Sequence, residues 1–115
     1  MSDGRLRFGL AVPPKPPAGS LRLALGLAKL LRCDGLFVWD HLQDFVPTAL
    51  WDRRFSWTVD PKGSPHAFFD PFTTLGALAP RAGRTRLGVA VSDPIRRHPV
   101  LLAQAALTLA RLSRR

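Results

Sequence analysis

Only one cysteine, Cys33, occurs in the 115 residues, and tyrosine, glutamate and asparagine do not occur at all. A single thiol excludes a disulfide within the chain and a zinc site built from cysteines. No stretch reaches the ~18 uninterrupted apolar residues that a membrane-spanning helix needs. The opening MSDGRLRF carries charge and no long apolar run, so a leader is not expected and a cytoplasmic protein is the default. Several chemical signatures are missing as well. There is no GxSxG, no P-loop, no HExxH and no HxH. Asp40, His41 and His98 are conceivable metal ligands, but without such spacing no metal is expected.

What is present is an apolar fraction of 46%, enough for the core of one domain, and a formal charge of +9. A charge of that size raises nucleic acid as a partner. The basic residues are scattered, however, from Arg5 and Arg22 through Lys29, Arg53 and Arg81 to Arg96 and Arg111. Arginine far outnumbers lysine, and alanine and leucine abound, as GC-rich coding produces. Nucleic acid is therefore not the favoured partner.

Three short, largely continuous apolar runs punctuate the chain: Leu6 to Val12, Leu36 to Trp39 and Leu87 to Val91. Continuous runs are how strands buried on both faces read, as in parallel sheets. Helical patterns alternate with them. Ser20 is a candidate cap for a helix from Leu21 to Arg32, whose Leu21, Ala24, Leu25, Ala28 and Leu31 form one stripe. Gly35 suits a left-handed close. Asp70-Pro71 opens a second helix with Phe72, Leu75, Leu78 and Ala79 inward, stopped by Pro80 and Gly83. Pro99 opens a third, apolar from Val100 to Leu112 except for one wet stripe of Gln104, Thr108 and Arg111. The order β-α-β-α-β-α predicts an α/β fold on a parallel sheet. A long connection over residues 42–69 breaks the rhythm. Its Trp51, Phe55, Trp57, Phe68 and Phe69 argue that it packs over something.

Ligands of parallel α/β folds bind beyond the C-terminal strand ends. Those ends carry Pro13-Pro14, Asp40-His41 and Ser92-Asp93. The proline-rich turn after the first strand argues against a dinucleotide phosphate turn. Histidine exchanges protons near neutral pH, and an adjacent carboxylate can orient it. The plainer alternative is that Asp40 caps a turn and His41 is a surface residue. His66 lies in a turn-rich loop, and His98 neighbours the third helix start. Cys33 has no nearby base.

Four segments, RFGLAVP, DGLFVWDHL, DPFTTLGALAPRAGRTRLGVAV and RRHPVLLAQAALTLARLS, occur in the order found in one family. The chain resembles the N-terminal part of the luciferase-like monooxygenase superfamily, whose members are TIM-barrel oxidoreductases using FMN or the deazaflavin F420. The resemblance covers nearly everything outside residues 43–69. It implies that residues 1–115 are a single incomplete (β/α) barrel segment, a partial TIM barrel of about three β/α units. By the same resemblance Asp40 contacts the cofactor ring, and His41 is the catalytic proton-transfer residue or a cofactor contact. Ala90 and Val91 would form a cis-peptide bulge behind the ring, and Ser92 would sit at the cofactor's edge. Phe45 stands where sugar-phosphate-oxidising members carry tryptophan. Full barrels need about 250 residues. The expectation is thus a fragment, inactive alone, whose partners are a small-molecule substrate, a flavin-type cofactor and either a second copy or a complementing C-terminal part. A non-catalytic binding or regulatory module and a basic nucleic-acid binder are the rival readings.

Overall fold

The computed structural model describes residues 6–55 and 63–114. Three strands, β1 (Gly9–Val12), β2 (Gly35–Val38) and β3 (Arg86–Val89), form a parallel sheet in the order β1-β2-β3. Helices α1 (Gly19–Leu30), α2 (Pro71–Ala82) and α3 (Pro99–Leu112) follow them in turn, giving three successive β/α units. The expected parallel α/β arrangement is what forms. No helix among the described residues is long and apolar enough to cross a membrane.

Side chains of a strand alternate between faces, and the register sorts them cleanly. Leu10, Leu36 and Leu87 are aligned, as are Val12, Val38 and Val89. These six face the helices and meet Leu21, Ala24, Leu25 and Ala28 of α1 and Leu75, Leu78 and Ala79 of α2. Leu36, Val38 and Leu75 are completely buried. Each such side chain contributes roughly 1.5–3 kcal/mol of burial.

The other face is different. There Gly9, Gly35 and Arg86 are aligned, followed by Ala11, Phe37 and Gly88. The Phe37 ring lies across the three glycines: a Cβ added at Gly9, Gly35 or Gly88 would stand 2.5, 2.8 or 2.9 Å from it. Gly9 and Ala11 are exposed and Phe37 is half-buried. Burial on both strand faces, which the apolar runs suggested, therefore holds only on the helix side. One phenylalanine is too little to cover the opposite face.

Helix ends follow local chemistry, with two corrections. At α2, the Asp70 carboxylate accepts the Thr73 N–H at 2.8 Å and Pro71 occupies the first turn, as expected. Pro80 does not stop this helix; it sits in the last turn, and termination comes at Gly83, whose φ is +60°. At α1, Ser20 is not the cap. The helix starts at Gly19 after Ala18, because Pro16-Pro17 already set the turn, and the Ser20 hydroxyl donates to the Pro17 carbonyl at 2.8 Å. Nor does Gly35 close α1. Arg32 takes the left-handed conformation at φ +53°, and Gly35 is the first residue of β2, kept small by the Phe37 ring above it.

Helix α3 departs most from expectation. Its sequence reads as a buried helix with one wet stripe, yet Leu109 is its one buried residue. Val100, Leu101, Leu107 and Leu112 are all more than half exposed. The helix lies at the end of the array, packed on α2, with no described element beyond it.

Candidate functional site

The C-terminal strand ends gather Asp40 and His41 after β2 and Ala90, Val91 and Ser92 after β3. Backbone pairing continues past the strands: the Ala90 N–H donates to the Val38 carbonyl at 2.9 Å and the Asp40 N–H to the Val91 carbonyl at 3.3 Å. The two strand ends are thus held side by side.

Asp40 is buried, and its side chain is only 1% exposed. Four hydrogen bonds fill its carboxylate. Oδ2 accepts from the Ser92 hydroxyl at 2.9 Å and from Arg97 Nε at 2.8 Å. Oδ1 accepts from Arg97 Nη2 at 2.9 Å and also from Arg96 Nη2. Arg96 donates in addition to the Asp40 carbonyl at 2.9 Å. A carboxylate offers about four lone-pair sites, so none is left for a ligand in this arrangement. Arg97 reaches onward to Asp70 Oδ2 at 2.7 Å and lies over the Phe72 ring. One guanidinium, from the residue just before the α3 cap, therefore ties the end of β2 to the cap of α2.

The electrostatics follow. Burial alone pushes the Asp40 carboxyl up, but hydrogen bonds from Arg97 and Ser92 and the charges of both arginines outweigh it. The result is a carboxyl lowered to about 2 from an ordinary 3.8. The Asp40 hydrogen bond in turn raises Arg97 further above its already high value. Asp40 is a fixed anion across the physiological range.

His41 is presented differently. It is exposed, and its ring stands 5.6 Å from Trp39 on one side and 5.6 Å from Phe68 on the other. Phe68 belongs to the long connection, which Lys15 fastens to the end of β1. Lys15 Nζ donates to Asp44 Oδ2 at 2.5 Å and to the Pro65 carbonyl at 2.8 Å. The same ammonium lies 4.8 Å from the Trp51 ring centre and 4.5 Å from that of Phe68. Burial pushes the Asp44 carboxyl up, yet Lys15 brings it below the ordinary range. Phe69 anchors the loop from the other end through its N–H to the Pro14 carbonyl at 2.7 Å. Trp57 lies outside the described residues.

The remaining candidates are structural. His66 Nδ1 accepts the Asp44 N–H at 3.2 Å, and its other nitrogen is 3.4 Å from the Thr48 hydroxyl, so it staples the loop. His98 caps α3 by accepting the Val100 N–H at 3.3 Å. Cys33 is half-buried against the core. Ala90 and Val91 are exposed beside the Asp40 turn. The bond between them is not cis: among the described residues the cis bond is Pro16-Pro17. A non-proline cis bond costs ~3 kcal/mol and persists only where packing enforces it, and Val91 is 66% exposed.

Sequence reasoning missed Arg96, Arg97 and Lys15. The first two were counted in a scattered charge. The available signal was an arginine pair four residues beyond Ser92, hence near a buried acid on the neighbouring strand.

Comparisons with known proteins bear on the site. The luciferase-like monooxygenase family matches residues 50–114. A phthiodiolone/phenolphthiodiolone dimycocerosates ketoreductase of Mycobacterium sp. (strain JLS) is 38% identical over 99% of this chain and 31% of its own length. The proteins of that name from Mycobacterium tuberculosis (strain H37Rv) and Mycobacterium kansasii are each 37% identical, over 96% and 85% of this chain. The chain thus spans about 27–31% of the length of these relatives.

Proposed function

Since the chain belongs to the luciferase-like monooxygenase family, we propose that it is the N-terminal part of an F420- or FMN-dependent oxidoreductase acting on a carbonyl-bearing organic substrate. Residues 1–115 form a single incomplete barrel segment in this reading, and the chain is inactive alone. The observation that carries the proposal is the contrast at the end of β2. Asp40 is locked by four hydrogen bonds, while its neighbour His41 is exposed between two aromatic rings.

The described residues fit a planar ring. Ala90 and Val91 present an exposed apolar ledge beside the Asp40 turn, and Trp39 and Phe68 add flat walls around His41. Ala90, Val91 and Ser92 would hold the ring along the ledge. When bound, either cofactor supplies or takes a hydride. The protein's own part is to hold the substrate carbonyl and move a proton. His41 delivers the proton to the carbonyl oxygen as hydride reaches the carbon, and takes it back in the reverse direction. Asp40 positions His41 through the backbone rather than by touching the ligand. Phe68 and Trp39 flank the imidazole. The relatives' name as ketoreductases supports a ketone as substrate.

The test is His41→Ala in a barrel completed with a relative's C-terminal part. General acid–base groups contribute about 10²–10⁴-fold. Ketone reduction should fall within that range with cofactor binding retained. Unchanged turnover, or loss of folding, would leave His41 a surface residue of a capped turn.

A further inference from the structure

Among the described residues no hydrogen bond holds either ring nitrogen of His41. Its orientation depends on the two rings beside it. Trp39 follows β2 directly and is placed by the strand. Phe68 comes from the far end of the long connection, and something else must place it. The turn after β1 does so. Pro14 and Lys15 grip residues 65–69 at both ends: the Phe69 N–H donates to the Pro14 carbonyl at 2.7 Å, and Lys15 Nζ donates to the Pro65 carbonyl at 2.8 Å. Between these two bonds the Lys15 ammonium lies 4.5 Å from the centre of the Phe68 ring. Its bond to Asp44 Oδ2 at 2.5 Å and the Trp51 ring at 4.8 Å fix the ammonium from the opposite leg of the connection. The Lys15 side chain is only 17% exposed, and a cation attracts an aromatic face more strongly when water is excluded.

We infer that Lys15 is a positioning residue for His41: its ammonium holds the Phe68 ring against the imidazole and so sets the direction in which the imidazole presents its proton. The inference rests on the reading of His41 as the proton-transfer residue and adds how that ring is aimed. Lys15 does not touch the imidazole. It acts through one intervening ring, at 4.5 Å from the ammonium and 5.6 Å from His41. A residue that only fastened the loop would need the bonds to Asp44 and Pro65 and nothing more. The placement of the charge on Phe68 is what carries the grip through to the site. Hydrogen bonds weaken steeply with angle, and small misplacements of a reacting group are costly. An imidazole without a hydrogen bond of its own is therefore sensitive to the ring that flanks it.

The first arm of the test needs no activity. In the 115-residue chain, the imidazole C–H signals of His41 feel the ring current of Phe68 and are read by proton–carbon NMR. Phe68→Leu removes that ring and defines the shift its loss produces. Lys15→Met keeps most of the stem and removes the ammonium, and should move the His41 signals in the same direction. Lys29→Met makes the same change of charge at an exposed position of α1 and should leave them in place. The second arm uses the barrel completed with a relative's C-terminal part. There Lys15→Met should lower kcat for ketone reduction about tenfold or more, a part of the 10²–10⁴-fold that a general acid supplies, with KM and cofactor binding nearly unchanged. Combined with Phe68→Leu it should cost little more than either alone, because both act through one contact. His41 signals that stay in place in Lys15→Met would overturn the inference, and so would an unchanged kcat in a barrel where His41→Ala does lower it. If the signals move but His41→Ala leaves turnover unchanged, the orienting role of Lys15 stands and the proton-transfer reading alone fails.

Discussion

Replacing Asp40 by asparagine keeps the shape of the side chain and removes its charge. Holding a carboxyl at about 2 rather than 3.8 is worth roughly 2 kcal/mol at neutral pH. Asparagine also turns an NH₂ donor toward guanidinium donors, so at least one arginine bond is lost outright. Removing one partner of a fully buried pair costs about 3–5 kcal/mol. Here Arg96 and Arg97 are 22% and 26% exposed, so water recovers part of that. The expected loss is about 2–3 kcal/mol. Urea unfolding at low protein concentration, followed by circular dichroism and tryptophan fluorescence, should show the midpoint falling by about 1 M or more, given slopes of about 1–3 kcal/mol/M. The pH dependence has a definite sign. The folded carboxyl is depressed, so its contribution is complete above about pH 4 and disappears as pH falls through about 2. Wild type and variant should differ at neutral pH and converge near pH 2. An unchanged midpoint at neutral pH, or a difference that persists undiminished in acid, would refute the four-bond account of Asp40.

Other expectations are simpler. Gly88→Ala should destabilise by about 1–3 kcal/mol, because the new Cβ meets the Phe37 ring at 2.9 Å; combining it with Phe37→Leu should recover much of the loss in the same urea assay. Lys15→Met keeps the stem over Trp51 and Phe68 but removes the bonds to Asp44 and Pro65. Limited proteolysis should then cut within residues 42–69 several-fold faster, with the sheet unaffected. Arg97→Lys loses the two-pronged grip on Asp40 and the reach to Asp70, so it should destabilise nearly as much as Asp40→Asn. The double variant should cost far less than the two single losses together.

The parts of the fold that were legible in the sequence depend on short-range chemistry. Asp70-Pro71 opens α2 as read, because a cap and its proline act within one turn. Each strand was placed with a shift of at most three residues at either end, since apolar runs mark strands whatever surrounds them. The start of α1 was misread because Pro16-Pro17 fixes the chain before Ser20 can act as cap. Gly35 was taken for a helix close, although the reason for its small size is Phe37, two residues ahead on the same strand. The burial of α3 was misread for a deeper reason. Among the described residues nothing packs over its Val100, Leu101, Leu107 and Leu112, and periodicity alone does not show whether an apolar face is covered. At the site, the position of Asp40 and His41 followed from their place at a strand end. The partners of Asp40 did not, because Arg96 and Arg97 are 56 and 57 residues away and only the β2-β3 register brings them together.

The central claim is that these strand ends belong to a hydride-transferring oxidoreductase. It is tested most directly by titrating the barrel completed with a relative's C-terminal part with F420 and, separately, with FMN, following fluorescence while light scattering confirms that the protein is not aggregated. The account predicts saturable one-to-one binding of one of the two cofactors, absent from residues 1–115 alone and weakened by bulky substitution at the ledge, as in Ala90→Trp. A folded, completed barrel that binds neither cofactor saturably would contradict it.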